Sequence, residues 1–346
     1  MHILMVRFSS MGDVVLQTAT INWLKSLYGN DIHLSFVTSQ EFVSLIDAHP
    51  GLGKVIGFNR RGGETWKDLL KKIDSLDEEM PIDLILDLHA TLRSFRLKLS
   101  YWTVPALTVD KRRWERFLLT KFLKKIINKK FFGLEPQVER IINDFEGIFQ
   151  DKSALRRTRS YRQGHHAELT SLPTPGKVDL PKPYIVLAPS ASFFYKRWPV
   201  NYFVELAQRL LNETNFHVVI LAGPEDTFCE AFNALASERL HNLQGKTSLK
   251  VSMNVLSEAA LCIGNDSGMN HITEAYNIPV VTIFGPTDPL FGFAPHGSKS
   301  RTISKELWCK PCSTTGKEKC FRDKHYCMLE ISVNEVFAAA QEVVQT

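Results

Sequence analysis

The first residue that could do chemistry lies in the segment RFSSMGDVVLQTA, which begins at Arg7. The segment follows the apolar run HILMV (2–6), which predicts a buried strand, and it continues into a pattern typical of a helix. Gly12 is expected to let the chain turn sharply out of the strand. Asp13 stands where the turn becomes the helix, and the helix dipole favours its ionised form. Its carboxylate could therefore act as a general base or serve only as a helix cap.

A second candidate loop follows the apolar run YIVLAP (184–189). It contains Ser190, Ser192, Lys196 and Arg197 just before another helical pattern. Hydroxyl groups, two cations and the free N–H groups of a helix N-terminus together suit a phosphate ligand. The same residues are also consistent with a capped helix whose two cations are solvated.

A third candidate loop, NDSGMNH, follows the run ALCIG. Asp266 could bind sugar hydroxyls, and Ser267 with the amides of Gly268 and Met269 could hold a diphosphate. His271 lies one turn into the next helix, on the side expected to face a ligand. The alternatives are a turn without any ligand and, for His271, a histidine packed in the core.

The loop GPED (223–226) offers Glu225, whose carboxylate could bind both hydroxyls of a ribose or simply belong to a turn that caps a helix. Several familiar motifs are absent from the positions where they would be needed, namely GxGxxG, the Walker loop, HExxH and GxSxG. Their absence disfavours a dehydrogenase, a nucleoside triphosphatase, a zincin and a serine hydrolase.

The chain has six cysteines, and four of them form what we call the four-cysteine cluster: Cys309, Cys312, Cys320 and Cys327. Their spacing is compatible with a structural Zn or Fe site that pins a loop, and equally with reduced free thiols. Disulfides are disfavoured because the protein is expected in the cytoplasm. Cys229 and Cys262 are expected to be core thiols.

The basic residues are unevenly distributed. The formal net charge of +5 over 346 residues gives no reason to expect a nucleic-acid partner. Between Arg93 and Lys130, however, twelve Lys and Arg residues face only two acids. Apolar residues at four-residue spacing in this stretch (Trp114, Leu118, Phe122 and Ile126) predict an amphipathic helix. It could contact an anionic membrane surface, or it could be a core helix with a solvated basic face.

Seven apolar, β-branched runs alternate with helical patterns and predict strands at 2–6, 33–37, 83–88, 184–189, 217–223, 260–265 and 279–285. This alternation indicates an α/β protein with parallel sheets. The Pro- and Gly-containing stretch 171–183 predicts a linker between an N-terminal domain (1–170) and a C-terminal domain (184–330), and the last residues, 331–346, predict a closing helix. No apolar run is long enough to span a bilayer, so we expect a cytoplasmic protein, peripheral to the inner membrane at most.

Taken together, RFSSMGDVVLQT, KRWP, GPED, GNDSGMNH, FGPTDP and the cysteine-bearing CKPC resemble the bacterial ADP-heptose lipopolysaccharide heptosyltransferases, glycosyltransferase family 9. The resemblance covers nearly the whole chain. It implies the GT-B architecture, in which two Rossmann-like domains face a central cleft. It also implies inverting transfer of heptose from ADP-heptose to the inner core of lipopolysaccharide (a lipid A-Kdo acceptor), with no cofactor required for catalysis.

The resemblance assigns roles to particular residues. Asp13 matches the general base and Lys196 the lysine that binds the diphosphate. The remaining donor contacts are expected at Ser190, Ser192, Glu225, Asp266, Ser267, Gly268, Met269 and His271. Acceptor contacts are expected at Ser10, Gly12, Arg93 and Arg113. Two alternatives stay open: a GT-B glycosyltransferase with another nucleotide sugar or acceptor, and a noncatalytic nucleotide-sugar-binding protein of the same fold.

Overall fold

The computed structural model of the protein describes residues 1–111, 116, 120, 137–146 and 178–345. Of these, residues 1–111 and 137–146 form one compact unit, and residues 178–345 form a second one that also includes residues 116 and 120. The predicted linker over 171–183 is described only in part, so the domain boundary stays a prediction. The predicted amphipathic helix over 114–126 lies outside the described residues, apart from positions 116 and 120.

The first unit is a parallel sheet with the strand order β3-β2-β1-β4-β5. Its strands are β1 (His2–Val6), β2 (His33–Ser39), β3 (Lys54–Phe58), β4 (Leu84–Asp87) and β5 (Ala106–Thr108). Its described helices are α1 (Met11–Tyr28), α2 (Trp66–Glu79), α3 (Leu92–Ser100) and α4 (Gln137–Glu146).

The central strand β1 shows that this sheet is buried on both faces. All five of its residues are buried, and it pairs in parallel with β2 on one side and with β4 on the other. Helix α2 shows how the helices cover the sheet, because Leu69, Ile73 and Leu76 lie on its buried face at helical spacing. Its N-terminus is closed by a capping box between Thr65 and Asp68.

The second unit is a six-stranded parallel sheet with the order β11-β10-β9-β6-β7-β8. Its strands are β6 (Tyr184–Ala188), β7 (His217–Ile220), β8 (Leu240–Asn242), β9 (Leu261–Asn265), β10 (Val280–Phe284) and β11 (Arg301–Ser304). Its described helices are α5 (Val200–Glu213), α6 (Leu249–Ser257), α7 (Gly268–Ala275), α8 (Tyr326–Leu329) and α9 (Val333–Gln345). Trp198 is buried at the start of α5, and its indole N–H donates to the carbonyl of Ile331 at 3.0 Å.

Both sheets have the strand order of the Rossmann fold, which confirms the predicted α/β fold class. The seven predicted strands and the closing helix are all present, whereas the structure adds four strands that were not predicted: β3, β5, β8 and β11. Within the described ranges, no helix combines the length and the apolar character that a membrane crossing requires.

The strand order also locates the expected ligand sites. In such sheets ligands bind beyond the carboxyl ends of the strands, at the point where the order reverses. That point lies between β1 and β4 in the first unit and between β6 and β9 in the second. The loop with Asp13 follows β1, and the loops with Lys196 and Asp266 follow β6 and β9. The fold therefore places all three candidate loops at switch points.

Candidate active site

Asp13 forms a nearly buried ion pair with Arg7. Arg7 Nη2 lies 2.7 Å from Asp13 Oδ1, and the two side chains are only 6% and 15% exposed. The Arg7 guanidinium also donates to the carbonyls of Ser9 and Leu88, which hold it beside the end of β1. Asp13 occupies the third position of α1, where its Oδ2 accepts hydrogen bonds from the Ser10 backbone N–H (3.0 Å) and hydroxyl (2.7 Å). Asp13 thus contributes to a helix cap as well as facing a cation.

The pKa of Asp13 is pulled in two directions. Burial alone would raise this pKa, but the positive charge of Arg7 and the hydrogen bonds from Ser10 and Arg7 lower it by more. The net result is a pKa well below the ordinary value for an aspartate. The carboxylate is therefore fully ionised at neutral pH.

Two residues of the cluster around Asp13, namely Arg7 and His89, were not recognised from the sequence. Arg7 was not recognised as a partner of Asp13, although a charged residue directly after an apolar strand is a detectable signal. The other is His89, which follows β4, and its Nε2 lies 3.4 Å from Ser9 Oγ. Burial, helped by the charge of Arg7, lowers the pKa of His89 to about 3, so the imidazole is neutral at physiological pH.

The structure describes three of the four predicted acceptor residues. Arg93 joins the cluster, because its guanidinium carbon lies 5.2 Å from the centroid of the Phe8 ring at the end of β1. Ser10 is exposed at the start of α1. Gly12 does not supply the turn out of β1, as was predicted, because it lies inside the first turn of α1 and its φ is not positive. Arg113 lies outside the described residues.

In the second unit, Lys196 and Asp266 form an ion pair between two candidate loops. Lys196 Nζ lies 2.6 Å from Asp266 Oδ2, and the side chains are 14% and 11% exposed. Asp266 Oδ2 also accepts a hydrogen bond from Thr287 Oγ1 at 2.9 Å, which brings in the FGPTDP segment after β10. The three motifs, which are far apart in the sequence, therefore meet at the Asp266 carboxylate, with Lys196 as its cationic partner.

Asn265, the last residue of β9, holds the loops in place and was not singled out from the sequence. Its Oδ1 accepts from the Trp198 backbone N–H at 2.9 Å, and its Nδ2 donates to the Pro189 carbonyl at 2.6 Å. Asn270 adds bonds to the Asn265 carbonyl and to Thr282 Oγ1, both at 2.9 Å. These buried amides fix the geometry of the Lys196 loop relative to the loop after β9.

The loop after β9 leads directly into α7. Ser267 is the residue before the first helical one, and its buried Oγ has no hydrogen-bond partner among the described residues. Gly268 and Met269 open the helix, so their N–H groups have no acceptor within it. His271 is buried, with its ring 6.3 Å from that of Phe293. An anionic ligand could accept hydrogen bonds from this unpaired hydroxyl and from the free N–H groups at the start of α7.

The remaining predicted donor residues occupy different surroundings. Ser190 Oγ donates to Asp226 Oδ2, and Asp226 is buried, with Oδ1 3.5 Å from Arg197 Nη2. The acid that organises this loop is thus Asp226, which the sequence analysis missed. Ser192 and Glu225 are both exposed, and their predicted donor contacts stay predictions.

The segment that carries the four-cysteine cluster packs against Lys196. A Cβ added at Gly316, whose φ is +81°, would overlap Lys196 Cγ. The segment is also tied to the FGPTDP motif, because the Cys312 N–H donates to the Pro286 carbonyl at 3.1 Å. The lack of a Cβ at Gly316 therefore lets the backbone approach Lys196 closely, and this backbone restricts where the lysine side chain can lie.

The cysteines themselves have two kinds of environment. Cys229 and Cys262 are fully buried in the second unit, as predicted for core thiols. In the four-cysteine cluster, burial raises the pKa of Cys327 to about 12, and the neighbouring thiols at positions 309, 312 and 320 add to this effect. Among the residues that the structure describes, no group of three or more His, Cys, Asp or Glu side chains is arranged to hold a metal ion.

Comparison with known proteins decides the family. Residues 82–321 match the sequence profile of glycosyltransferase family 9 (heptosyltransferase). The chain belongs to glycosyltransferase family 9. A relative of this family 9 enzyme is lipopolysaccharide heptosyltransferase 1 of Pseudomonas aeruginosa, which is 24% identical over 332 residues, covering 90% of this chain and 86% of the relative.

Solved structures agree with the fold. The structure of Escherichia coli ADP-heptose lps heptosyltransferase II superposes with a TM-score of 0.72 at 20% identity, covering 100% of this chain and 99% of the other. Escherichia coli heptosyltransferase WaaC with ADP gives a TM-score of 0.67 at 18% identity, covering 99% and 100%. Together with the two Rossmann-like sheets, these matches confirm the predicted GT-B fold class. The family 9 protein is thus a glycosyltransferase enzyme.

Proposed function

We propose that this family 9 enzyme transfers heptose from ADP-heptose to the inner core of lipopolysaccharide, with inversion at the anomeric carbon and Asp13 as the general base. The donor and the acceptor class are those in the names of its relatives, lipopolysaccharide heptosyltransferase 1 and the ADP-heptose enzyme of Escherichia coli. The single observation that carries the proposal on this chain is the buried ion pair between Arg7 and Asp13 at the β1 switch point. A carboxylate held ionised at a ligand-binding edge suits proton abstraction.

The donor half of the site is proposed to lie at the loops after β6 and β9. Lys196 would face the diphosphate of ADP-heptose, and the Ser267 hydroxyl with the first N–H groups of α7 would hold its oxygens. In the structure Lys196 is paired with Asp266. The diphosphate must therefore share Lys196 with Asp266 or displace it, and Asp266 would then be able to bind hydroxyl groups of the sugar.

The reaction is proposed as a single displacement. An acceptor hydroxyl gives its proton to Asp13 as its oxygen bonds to the anomeric carbon, while the bond from that carbon to the ADP oxygen breaks and its electron pair leaves with ADP. Lys196 and the α7 N–H groups would stabilise the negative charge that develops on ADP. In this scheme the cations of the chain carry out the charge stabilisation.

The low pKa of Asp13 shapes how this base would work. Arg7 and Ser10 occupy most of the hydrogen-bonding capacity of the carboxylate. Because Ser10 is exposed, an acceptor hydroxyl could take the place of its hydroxyl group on Oδ2. Exclusion of water by bound substrate would raise the pKa of Asp13 and strengthen it as a base. Arg7 would then orient the carboxylate and keep it unprotonated beforehand.

Acceptor recognition is proposed to involve Ser10 and Arg93, because both lie at the end of β1 where Asp13 is found. The guanidinium of Arg93 would suit the anionic groups of a lipid A-Kdo acceptor. We propose that the enzyme acts at the cytoplasmic face of the inner membrane, where such an acceptor would be anchored.

We propose that the segment with the four-cysteine cluster has a structural role: it holds Lys196 in position and takes no part in the chemical step. A shared Zn or Fe ion is the metal-bound form of this proposal. Elemental analysis of protein purified without a metal-affinity tag tests it. One Zn or Fe per chain would support the metal-bound form. Substoichiometric metal would contradict it, and the cysteines would then be reduced thiols with the same structural role.

The function is tested by incubating the enzyme with ADP-heptose and with lipopolysaccharides of graded core truncation, and by identifying the product by mass spectrometry. The proposal expects one truncated acceptor to gain one heptose. A screen of other ADP- and UDP-sugars covers the alternative donors. Transfer from another nucleotide sugar only, or saturable binding of ADP-heptose without turnover on every acceptor, would contradict the proposal.

A further inference from the structure

Large apolar side chains lie exposed along one short segment of the first unit, formed by α3 and the turn that follows it. Their exposed fractions are 88% for Leu92, 53% for Phe95, 59% for Leu99 and 81% for Trp102. In the described part of this unit, the only other large apolar side chains classed as exposed are two methionines. Exposed apolar surface concentrated in this way marks an interaction site.

The three residues on α3 form a single stripe. With 3.6 residues per turn, Leu92, Phe95 and Leu99 fall within an arc of about 60°. The buried residues of the helix, Ser94 and Leu97, lie on the opposite face. The core therefore uses one face of α3, and the apolar side chains of the other face are exposed. We call Leu92, Phe95, Leu99 and Trp102 the α3 stripe.

Positive charge borders the α3 stripe. Arg96 is exposed beside it, and both Arg93 and Arg96 are stacked on aromatic rings that fix their position. Arg60 is also exposed, and its charge lowers the pKa of Arg93 while the charge of Glu41 raises it, so three arginines and one carboxylate lie beside the stripe. From His89 to Val109 the sequence contains no Asp or Glu. The border of the stripe is thus suited to an anionic partner.

We propose that the α3 stripe is a docking surface for an anionic lipid bilayer, with its apolar side chains entering the interfacial region and the exposed Arg60 and Arg96 facing the lipid phosphates. An exposed helical row of Leu and Phe, ended by a Trp and bordered by arginines, has the composition of an interfacial membrane helix. A symmetric contact with a second copy of the chain is disfavoured, because it would bring the same arginines of both copies together. None of the reaction steps above uses these four residues, Arg60 or Arg96, so the proposal does not depend on the proposed function.

Co-sedimentation with lipid vesicles tests the proposal directly. The wild-type protein is expected to bind vesicles of phosphatidylglycerol and phosphatidylethanolamine better than vesicles of phosphatidylcholine, with binding that weakens as salt rises. The triple variant Leu92→Ser/Phe95→Ser/Leu99→Ser should bind the anionic vesicles at least ~30-fold more weakly. Trp308→Ser is the matched control, since Trp308 is 70% exposed in the second unit and should leave vesicle binding unchanged.

Two further measurements make the test decisive. Arg96→Glu should weaken binding to anionic vesicles and leave binding to zwitterionic vesicles nearly as it was, because it changes only the electrostatic attraction between the protein and the lipid phosphates. Thermal unfolding checks that the variants are folded, and if the triple variant is not, Trp102→Ser decides the matter, since its 81% exposed side chain contributes little to stability. Wild-type-like vesicle binding by the folded variants would overturn the proposal. So would a dimer, seen by sedimentation equilibrium without lipid, that the stripe substitutions dissociate.

Discussion

Replacing Lys196 with alanine should weaken donor binding strongly, because Lys196 is the cation proposed to face the diphosphate, and it lies at the Asp266 carboxylate where three motifs of the second unit meet. A hydrogen bond to a charged group is worth about 1.5–3 kcal/mol. Loss of the contact between Lys196 and the diphosphate should therefore raise the Kd for ADP-heptose by roughly 10- to 150-fold. The turnover number should fall further, since charge on ADP grows as the sugar leaves. Isothermal titration calorimetry and a coupled ADP-release assay measure the two effects separately.

Lys196→Ala should also lower the free energy of unfolding, because it breaks the ion pair with Asp266. Breaking a fully buried ion pair costs about 3–5 kcal/mol. Asp266 would keep its bond from Thr287, and both partners of the pair are slightly exposed, so we expect a loss of about 2 kcal/mol in the free energy of unfolding. Adding Asp266→Asn to Lys196→Ala removes the orphaned charge and should restore stability without restoring donor affinity.

Lys182→Ala is the matched control for charge loss. Lys182 also pairs with a carboxylate, Glu258, at 3.0 Å, but its side chain is 55% exposed. Its removal should change the free energy of unfolding by less than about 0.5 kcal/mol and leave donor affinity alone. Lys196→Arg should rescue only partly, because a planar guanidinium does not reproduce a compact ammonium. A Kd for ADP-heptose within twofold of wild type in Lys196→Ala would refute this reasoning.

Two further predictions concern the residues around these charges. Gly316→Ala should lower turnover at least ~10-fold, because the added Cβ would displace Lys196. Gly63→Ala is the control and should keep its activity, since Gly63 has a similar φ (+89°, against +81° at Gly316) but nothing lies near its added Cβ. Equal activity of the two variants would contradict the proposal that the cysteine-bearing segment positions Lys196. Arg7→Met should lose about 3 kcal/mol of unfolding free energy at pH 7, because it leaves Asp13 buried without its cation. The folded-state pKa of Asp13 is lowered, so its stabilising contribution is present above the unfolded-state pKa and is lost as the pH falls towards the folded-state pKa. In urea titrations the difference between wild type and Arg7→Met should therefore shrink as the pH falls below about 4, and a constant difference would contradict the pairing.

Local sequence signals predicted the parts of the fold that depend on local pattern. Runs that are apolar throughout located the central strands, because a strand buried on both faces tolerates little else. The four missed strands, β3, β5, β8 and β11, are short or partly exposed. Their pairing is set by the sheet to which they add, and a single-sequence pattern does not contain that information.

The candidate site shows the same division. Asp13, Lys196 and the loop after β9 were recognisable because their residue types and spacing carry the motif. The role of Asn265 was not, since its partners lie 67 and 76 residues away and meet it only through the pairing of β6 with β9. Asp226 rather than Glu225 contacts the loop after β6, because its carboxylate accepts from the Ser190 hydroxyl and the Gly223 N–H, whereas Glu225 is exposed. Gly12 was misassigned because the chain turns before it, through Phe8 to Ser10.

The proposed role of Asp13 is tested most directly by the turnover of Asp13→Asn, compared with that of Asp68→Asn. Both aspartates occupy the third position of a helix and accept hydrogen bonds from the backbone and hydroxyl of the capping residue, but Asp68 has no part in the proposed chemistry. Assays should be run well below the melting temperature, since the neutral asparagine side chain no longer balances the charge of Arg7. The account predicts that Asp13→Asn still binds ADP-heptose and loses turnover by a factor of about 100 or more, while Asp68→Asn turns over normally. Near-normal turnover of Asp13→Asn, or an equal loss in Asp68→Asn, would return Asp13 to the role of a helix cap.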